Sequence, residues 1–379
     1  MQQKYTFFIL YMFFHEKNQF FCRFRVFLLH LQKINQLLFE ETMKKKVLLR
    51  LFVVAMFLCL AGCRPTASHY KKNLKDHVGQ SPSLTIFRYE DVLFNLDTAG
   101  FQSELKRIQP DYMPFLEGDL DNEILVGYLK DFVMDPSMRD LYNKVKSSYP
   151  DLKFVESTVA SVFRHFNYYY PDIKLPDTVF TCVSGINPEI PPVQIVGNNL
   201  IVSLDWYLSQ DEIYNRIGMP LYRSVRTVPQ AIGKDIAMQL YYEYVYQWRK
   251  QGDLLAEMMN MGRVNFFVEA LCPDLADKDL LGYSEEQMKW AQENEGELWA
   301  DIVGNQRLYT TGLDMYLTFF GDGPFTQEYS NDAPARLGEF VGLQIVRAYV
   351  SKNETTLQQL MAENDLQAVF QTSGYKPRK

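Results

Sequence analysis

Histidine is scarce in this chain, and where it is missing decides more than where it occurs. The five histidines are His15, His30, His69, His77 and His165, and none follows position 165. A catalytic zinc site takes three protein ligands, and the protease classes usually draw two or more from histidine. His165 alone cannot supply that, and in "FRHFNYYYP" it sits among aromatics that suit a satisfied, part-buried ring. The segment "HEKNQ" at 15–19 starts like H-E-x-x-H but lacks the second histidine. Nucleophilic catalysis meets the same shortage. There is no G-x-S-x-G, and Cys182 or Cys272 would have only His165 as an imidazole base. Cysteine is sparse as well: beyond Cys63 only these two remain, which is no disulfide framework and leaves their pairing open. No long apolar run occurs either. The uncharged stretch from Leu51 to Gly62 is too short to span a bilayer, which takes roughly 20 residues. Nothing repeats at a fixed period, which excludes solenoids.

What is present begins with "MKKKVLLRLFVVAMFLCLAGCRPT" at 43–66. Lys44, Lys45, Lys46 and Arg50 make a basic n-region, Leu51 to Leu60 an apolar h-region, and small residues precede a cysteine. Leu60-Ala61-Gly62-Cys63 resembles the bacterial lipobox. That resemblance implies a diacylglycerol thioether on Cys63, cleavage before it, and N-acylation. Several acyl chains at ~0.8 kcal/mol per buried CH₂ hold far better than one. Residues 1–42 carry nine phenylalanines without a clean period, and read as sequence upstream of a true start at Met43. The expected division is therefore 1–42 upstream extension, 43–62 signal peptide, 63–83 lipidated cysteine and tether, and 84–379 folded domain.

Cleavage sharpens the charge. Nine of the 39 Lys and Arg but only three of the 46 acidic residues precede Cys63, so the net charge moves from −7 to −13. Such acidity excludes a nucleic-acid partner, whose phosphates select Lys/Arg surfaces. The tether itself is basic, with Arg64, Lys71, Lys72 and Lys75 against Asp76. Lacking an acidic run after the cysteine, it points to an outer-membrane anchor facing the periplasm, near anionic headgroups.

Apolar residues at three-to-four spacing predict helices over Ala99–Ile108, Asn122–Phe132, Ser137–Ser148 and Leu152–Phe166. Thr178–Val183 and Gln194–Leu204 read as strands, the second as a hairpin around Gly197-Asn198-Asn199. Helix resumes from Pro229 through Trp248, then over Leu254–Leu271, Ser284–Asn305 and Ala333–Ser351, with Ser284 and Gln287 as a capping box. The fold class is mainly α (α+β), with a small sheet around 178–205.

Two side-chain patterns invite chemistry. Glu293, Glu297 and Asp301 recur at i, i+4, i+8, but helical carboxylate rows lack calcium's convergent loop geometry and read as a solvated face. In "QLYYEYVYQW" (239–248), Leu240, Tyr244 and Trp248 would share one helical stripe, which is core packing more than a sugar platform. No metal and no cofactor is expected.

Three C-terminal segments carry a resemblance. "LGYSEEQMKWAQENEGELWADIVGNQRLYTT" (281–311), "GDGPFT" (321–326) and "APARLGEFVGLQIVRAYV" (333–350) together resemble the gliding-motility lipoprotein GldB family of Bacteroidota. Upstream, "FRYEDVLF" (87–94), "FNYYYPDIKLP" (166–176) and "VSLDWYLSQDEIY" (202–214) agree, so the resemblance covers 87–377. It implies a role in cell-envelope machinery. The family is in turn similar to zincin-like metallopeptidases, which implies a helical zincin-like domain. On that similarity Lys234-Asp235-Ile236-Ala237-Met238 falls where H-E-x-x-H would, and Met261-Gly262 where the glutamate ligand and its glycine would. Lys234, Asp235, Met238 and Met261 are then degenerate former metal-site positions, and the scaffold a retired peptidase. Arg336, Arg347 and Glu295, with Trp290 and Trp299, are the matched residues to test as a partner surface. Their alternative is internal: an Arg–Glu pair and two core tryptophans. The leading function is a non-enzymatic docking or structural lipoprotein of motility or secretion machinery, with partners in the envelope. The alternatives are a metallopeptidase with unconventional ligands and a glycan-binding surface lipoprotein.

Overall fold

The first strand and first helix share one seam. The computed structural model describes residues 82–209 and 211–377, so Cys63, the signal segment and all but the end of the tether lie outside the described residues. Strand β1 (Thr85–Arg88) runs directly into helix α1 (Tyr89–Phe94), whose Tyr89, Leu93 and Phe94 are buried. Helix α2 (Phe101–Ile108) buries Phe101, Leu105 and Ile108, one face of a 3.6-residue period. The short α3 (Met113–Leu116) precedes α4 (Glu123–Met134), whose first amides donate to the Asn122 side chain. Asp135 caps α5 (Pro136–Ser148) in the same way, with proline in the first turn where its missing N–H costs nothing. Helix α6 (Lys153–Tyr169) turns Val155, Val159, Val162, Phe163 and Phe166 inward.

Among the described residues the sheet has four strands, in the order β1-β2-β4-β3. Strands β2 (Thr178–Cys182) and β4 (Asn199–Ser203) are central, parallel, and buried except at their first residues. That explains their unbroken β-branched and aromatic character, since a central strand covered on both faces needs no polar alternation. Strand β3 (Val193–Val196) pairs antiparallel with β4 across the expected turn, where Gly197 takes φ +59°. The edge strand β1 lay hidden in the sequence, because "TIFR" is too short to show a period. Just past β4, buried Asp205 accepts from Ser184 N (3.0 Å) and Ile186 N (2.9 Å), fastening the loop after β2. Burial nevertheless raises its carboxyl pKa, outweighing those bonds.

Two short helices, α7 (Glu212–Arg216) and α8 (Leu221–Ser224), lead to α9 (Ala231–Leu240). Helix α9 does not continue regularly to Trp248. It widens into a π turn over Tyr241–Val245 and stops at Tyr246, and Trp248 is 79% exposed. A π turn holds more residues than an α turn, so Tyr244 and Trp248 leave the stripe that Leu240 began. Helix α10 (Leu254–Leu271) is buried on almost every side from Gly262 onward, as a central helix must be. Helix α11 (Asp277–Leu281) ends at left-handed Gly282.

The capping box of Ser284 and Gln287 opens α12 (Glu285–Glu293) as expected, but the long helix is two. It breaks at Asn294, whose side chain donates to the Trp290 carbonyl, and resumes as α13 (Glu295–Gly304). Glu293 thus lies on a different helix from Glu297 and Asp301, which removes the proposed row. Helices α14 (Leu313–Phe320), α15 (Leu337–Lys352), α16 (Leu357–Ala362) and α17 (Leu366–Ser373) complete the chain. The most extensive pairing joins α10 to α15. Mainly helical architecture with one small sheet agrees with the sequence reading.

Candidate functional site

Helix α9 presents Lys234 and Asp235 side by side, both half-buried. The Lys234 ammonium has the Asp279 carbonyl at 3.5 Å, and Asp235 Oδ2 accepts from the Tyr207 hydroxyl at 2.7 Å. Burial, then the positive Arg336, lowers the Lys234 pKa to about 8; Asp235 and Glu339 oppose this, and Arg226 adds to it. Burial raises the Asp235 carboxyl, against the pull of Tyr207 and Lys234. Met238 and Met261 pack against the core as half-buried apolar side chains. Among the described residues no three His, Cys, Asp or Glu side chains group as a metal site would need. His165 is buried with Nδ1 2.7 Å from the Ser161 carbonyl, and burial lowers its pKa. Cys182 and Cys272 are both free thiols, and burial pushes Cys272 up to about 12.

A second set of charges gathers beside Lys234. Asp322 accepts from Arg226 Nη1 at 2.9 Å and from Arg223 Nε at 3.0 Å, with Arg336 Nε 3.8 Å away. Against the upward push of burial, these three guanidinium groups hold the Asp322 carboxyl below its ordinary value. Arg336 Nη1 reaches both Glu339 oxygens at 3.4 Å, and Nη2 donates to the Leu281 carbonyl at 2.5 Å. Arg226 Nε donates to the Gly282 carbonyl, and Tyr283 donates its hydroxyl hydrogen to the Arg336 carbonyl. Burial and then Arg336 lower the Arg226 pKa, despite Asp322.

The backbone is shaped to bring these groups together. Gly282 takes φ +67°, and a side chain there would meet Arg226 and Arg336 within 3.2 Å. Arg336 itself is left-handed at φ +59°, a conformation a non-glycine residue holds only when its surroundings require it. Thr326 fixes the intervening loop by donating to the Pro334 carbonyl, and Gln287 reaches the Pro324 carbonyl. Segments 281–283, 321–326 and 333–339 therefore meet in one place. Sequence reading named Arg336 and Lys234 for different reasons and missed Arg223, Arg226, Asp322 and Glu339. Two of those four lie inside the motifs, Asp322 between Gly321 and Gly323 and Glu339 directly after Gly338, and those glycines were the available signal.

The other named residues are engaged elsewhere within the chain. Arg347 forks onto Asp277 at 2.7 and 2.8 Å and reaches Glu269 at 2.9 Å. Glu295 is buried and accepts from Tyr375 at 2.7 Å. Trp299 meets Tyr375 edge-on at 5.1 Å, and Trp290 is half-buried against the core.

The family model for gliding motility protein GldB matches residues 71–377. The chain belongs to the GldB family. No curated protein and no solved structure matches it. For this GldB-family chain, each of the three C-terminal motifs of the resemblance contributes one of the segments that meet around Asp322. No helix among the described residues is long and apolar enough to cross a membrane.

Removing the Lys234 charge tests how the cluster is poised. Lys234→Met is expected to stabilise the protein by about 2 kcal/mol at pH 7, allowing for the part of the side chain left in water. The folded state gives up this proton near pH 8 and the unfolded chain near 10.5, so wild-type stability rises across that window. The advantage of the variant should accordingly shrink between pH 7 and 9.5, measured as the difference in urea midpoints.

Proposed function

We propose that the protein is a lipid-anchored envelope protein, held through Cys63 at the outer membrane and facing the periplasm. It acts without catalysis, as a docking or structural component of motility or secretion machinery. The observation that carries this reading is the convergence of the family's motifs on an ion-pair cluster instead of on a nucleophile or ligand set. An amine at position 234 repels a metal, and the buried thiols and His165 are poor nucleophile and base. The zincin-like ancestry belongs to the same reading: Lys234, Asp235, Met238 and Met261 would stand where ligands and base once stood.

Chemical crosslinking in native membranes, followed by purification of the full chain, is expected to recover defined envelope proteins. Cys63→Ala should release the chain from membranes or leave its signal uncleaved. Stoichiometric tightly bound zinc together with peptide cleavage by the purified chain would overturn the non-catalytic reading in favour of a metallopeptidase. A glycan-binding role is the second reading, favoured by exposed Trp248, Tyr242 and Tyr246, with the two tyrosine rings 5.7 Å apart. Retention on immobilised envelope polysaccharide, lost in Trp248→Ala, would support it.

A further inference from the structure

Large aromatic side chains are normally covered, yet one face of this chain leaves several in water. Helix α9 ends in the π turn at Tyr241–Val245, and residues 246–253 then run without regular structure to α10. Tyr242 and Tyr246 stand exposed with their rings 5.7 Å apart, and Trp248 follows two residues on. The course of this loop is fixed, which keeps Trp248 out of the core. Arg249 turns inward, its Nη1 donating to the Glu363 carbonyl at 3.1 Å and its Nη2 to the Met361 carbonyl at 3.3 Å. Its neighbours Trp248 and Lys250 are left in solvent.

Helix α14 meets the same loop at both ends. Where the loop enters α10, Leu254 N donates to the Thr310 carbonyl at 3.0 Å, three residues before α14 begins. Where it leaves the π turn, Tyr242 has Tyr316 of α14 as a neighbour. Burial first, then Tyr241, Glu339, Tyr246 and Tyr316, raises the Tyr242 pKa. Tyr309, Leu313 and Leu317 are each more than half exposed, the two leucines about one turn apart on α14.

Trp248 at 79% and Leu313 at 67% exposure project from the surface. A rigid protein partner would need a matching recess for each of them. The headgroup region of a bilayer takes projecting side chains without a fixed shape, and Trp and Tyr suit that depth, with an apolar ring and a polar edge. Charge does not oppose the contact: exposed Glu243 and Asp314 balance Arg249 and Lys250 here, in a chain whose net charge is −7. A membrane is also within reach. Eighteen residues separate Cys63 from Pro82, up to about 60 Å of chain, against roughly 50 Å across a domain of this size.

We propose that Tyr242, Tyr246, Trp248, Leu313 and Leu317 form a membrane-contact face that seats the domain on the headgroup region of a phospholipid bilayer. This rests on the anchor reading above and deepens it: the acyl chains hold the protein at the membrane, and this face fixes how the domain is turned on it.

The test is tryptophan fluorescence of the full-length protein, purified from membranes in detergent and reconstituted into vesicles of phosphatidylethanolamine and phosphatidylglycerol. The Trp248 signal is the difference between wild type and Trp248→Phe, since Trp206, Trp290 and Trp299 are half-buried and common to both. In vesicles whose acyl chains carry bromine, that signal is expected to fall by about half or more, as an indole at the headgroup boundary should. Leu313→Ser combined with Leu317→Ser should remove most of that fall without unfolding the chain, both side chains being exposed. An unquenched Trp248 in protein that floats with the vesicles overturns the proposal and leaves the anchor reading standing. A quenched Trp248 in protein that mass spectrometry finds without acyl groups removes the anchor reading and leaves this face standing. Shielding of Trp248 from acrylamide by envelope polysaccharide, with no quenching by brominated lipid, overturns the proposal in favour of the glycan reading. A photoreactive group at position 248 is expected to label phospholipid in native membranes, and labelling of protein alone overturns the assignment to lipid.

Discussion

Gly342→Ala is expected to cost about 3–5 kcal/mol, with a matching fall in the urea midpoint. A Cβ on Gly342 would lie 1.9 Å from the Met258 carbonyl oxygen and 2.6 Å from its carbon. From the other side, a Cβ on Gly262 would lie 2.3 Å from the Gly342 oxygen. Helices α10 and α15 thus touch backbone to backbone, and no rotamer change can relieve the clash. Separating them by about 1 Å would loosen the most extensive helix pairing in the fold, since packed interiors leave no room for it. Gly127, in α4, is the control: a Cβ there meets nothing within 4 Å. Gly127→Ala should be neutral or stabilising by up to ~1 kcal/mol, because alanine is the better helix former. Gly342→Ala proving as harmless as Gly127→Ala would refute the backbone contact.

Arg347→Met should be nearly as damaging. The side chain spans from α15 to Glu269 of α10 and Asp277 of α11, and the Glu269 side chain is only 4% exposed. Truncating one partner of a buried pair typically costs about 3–5 kcal/mol, because the other charge stays behind. Arg347→Lys should recover part of this but not all, since an ammonium cannot hold both Asp277 oxygens in parallel. The exposed pair of Lys106 and Asp121 gives the scale for comparison, with 43% and 76% of those side chains in water. Lys106→Met is expected to cost under about 1 kcal/mol. Denaturation midpoints of the three variants, measured together, should keep that order.

Much of the fold could be read from the sequence because its helices are long and strongly patterned. Leu254–Leu271 agrees with the sequence reading to the residue, and the α4 and α5 caps follow from Asn122 and Asp135. Misses came where tertiary structure overrode the period. Nothing in "ENEGEL" marks the break at Asn294, and no propensity argument foresees a π turn in "YYEYV". The cluster around Asp322 was harder still. Its members come from positions 223 to 339, and only folding places Lys234 beside Arg336. Sequence could show that Arg336 and the "GDGPFT" glycines matter, but not that they serve one another.

The edge position of β1 has a mechanical consequence. The chain following Cys63 leads into this strand, which among the described residues pairs only with β2, in parallel, Thr85 opposite Thr178. Its far end is pinned, with Arg88 donating to the Tyr149 carbonyl and Thr181 donating to Glu90. Tension along the strand therefore loads every β1–β2 hydrogen bond at once, in shear, instead of peeling them one by one. Resistance to such a pull is a matter of unfolding rate more than of equilibrium stability. A domain entered this way can bear a pull along its first described strand without first coming apart at that strand.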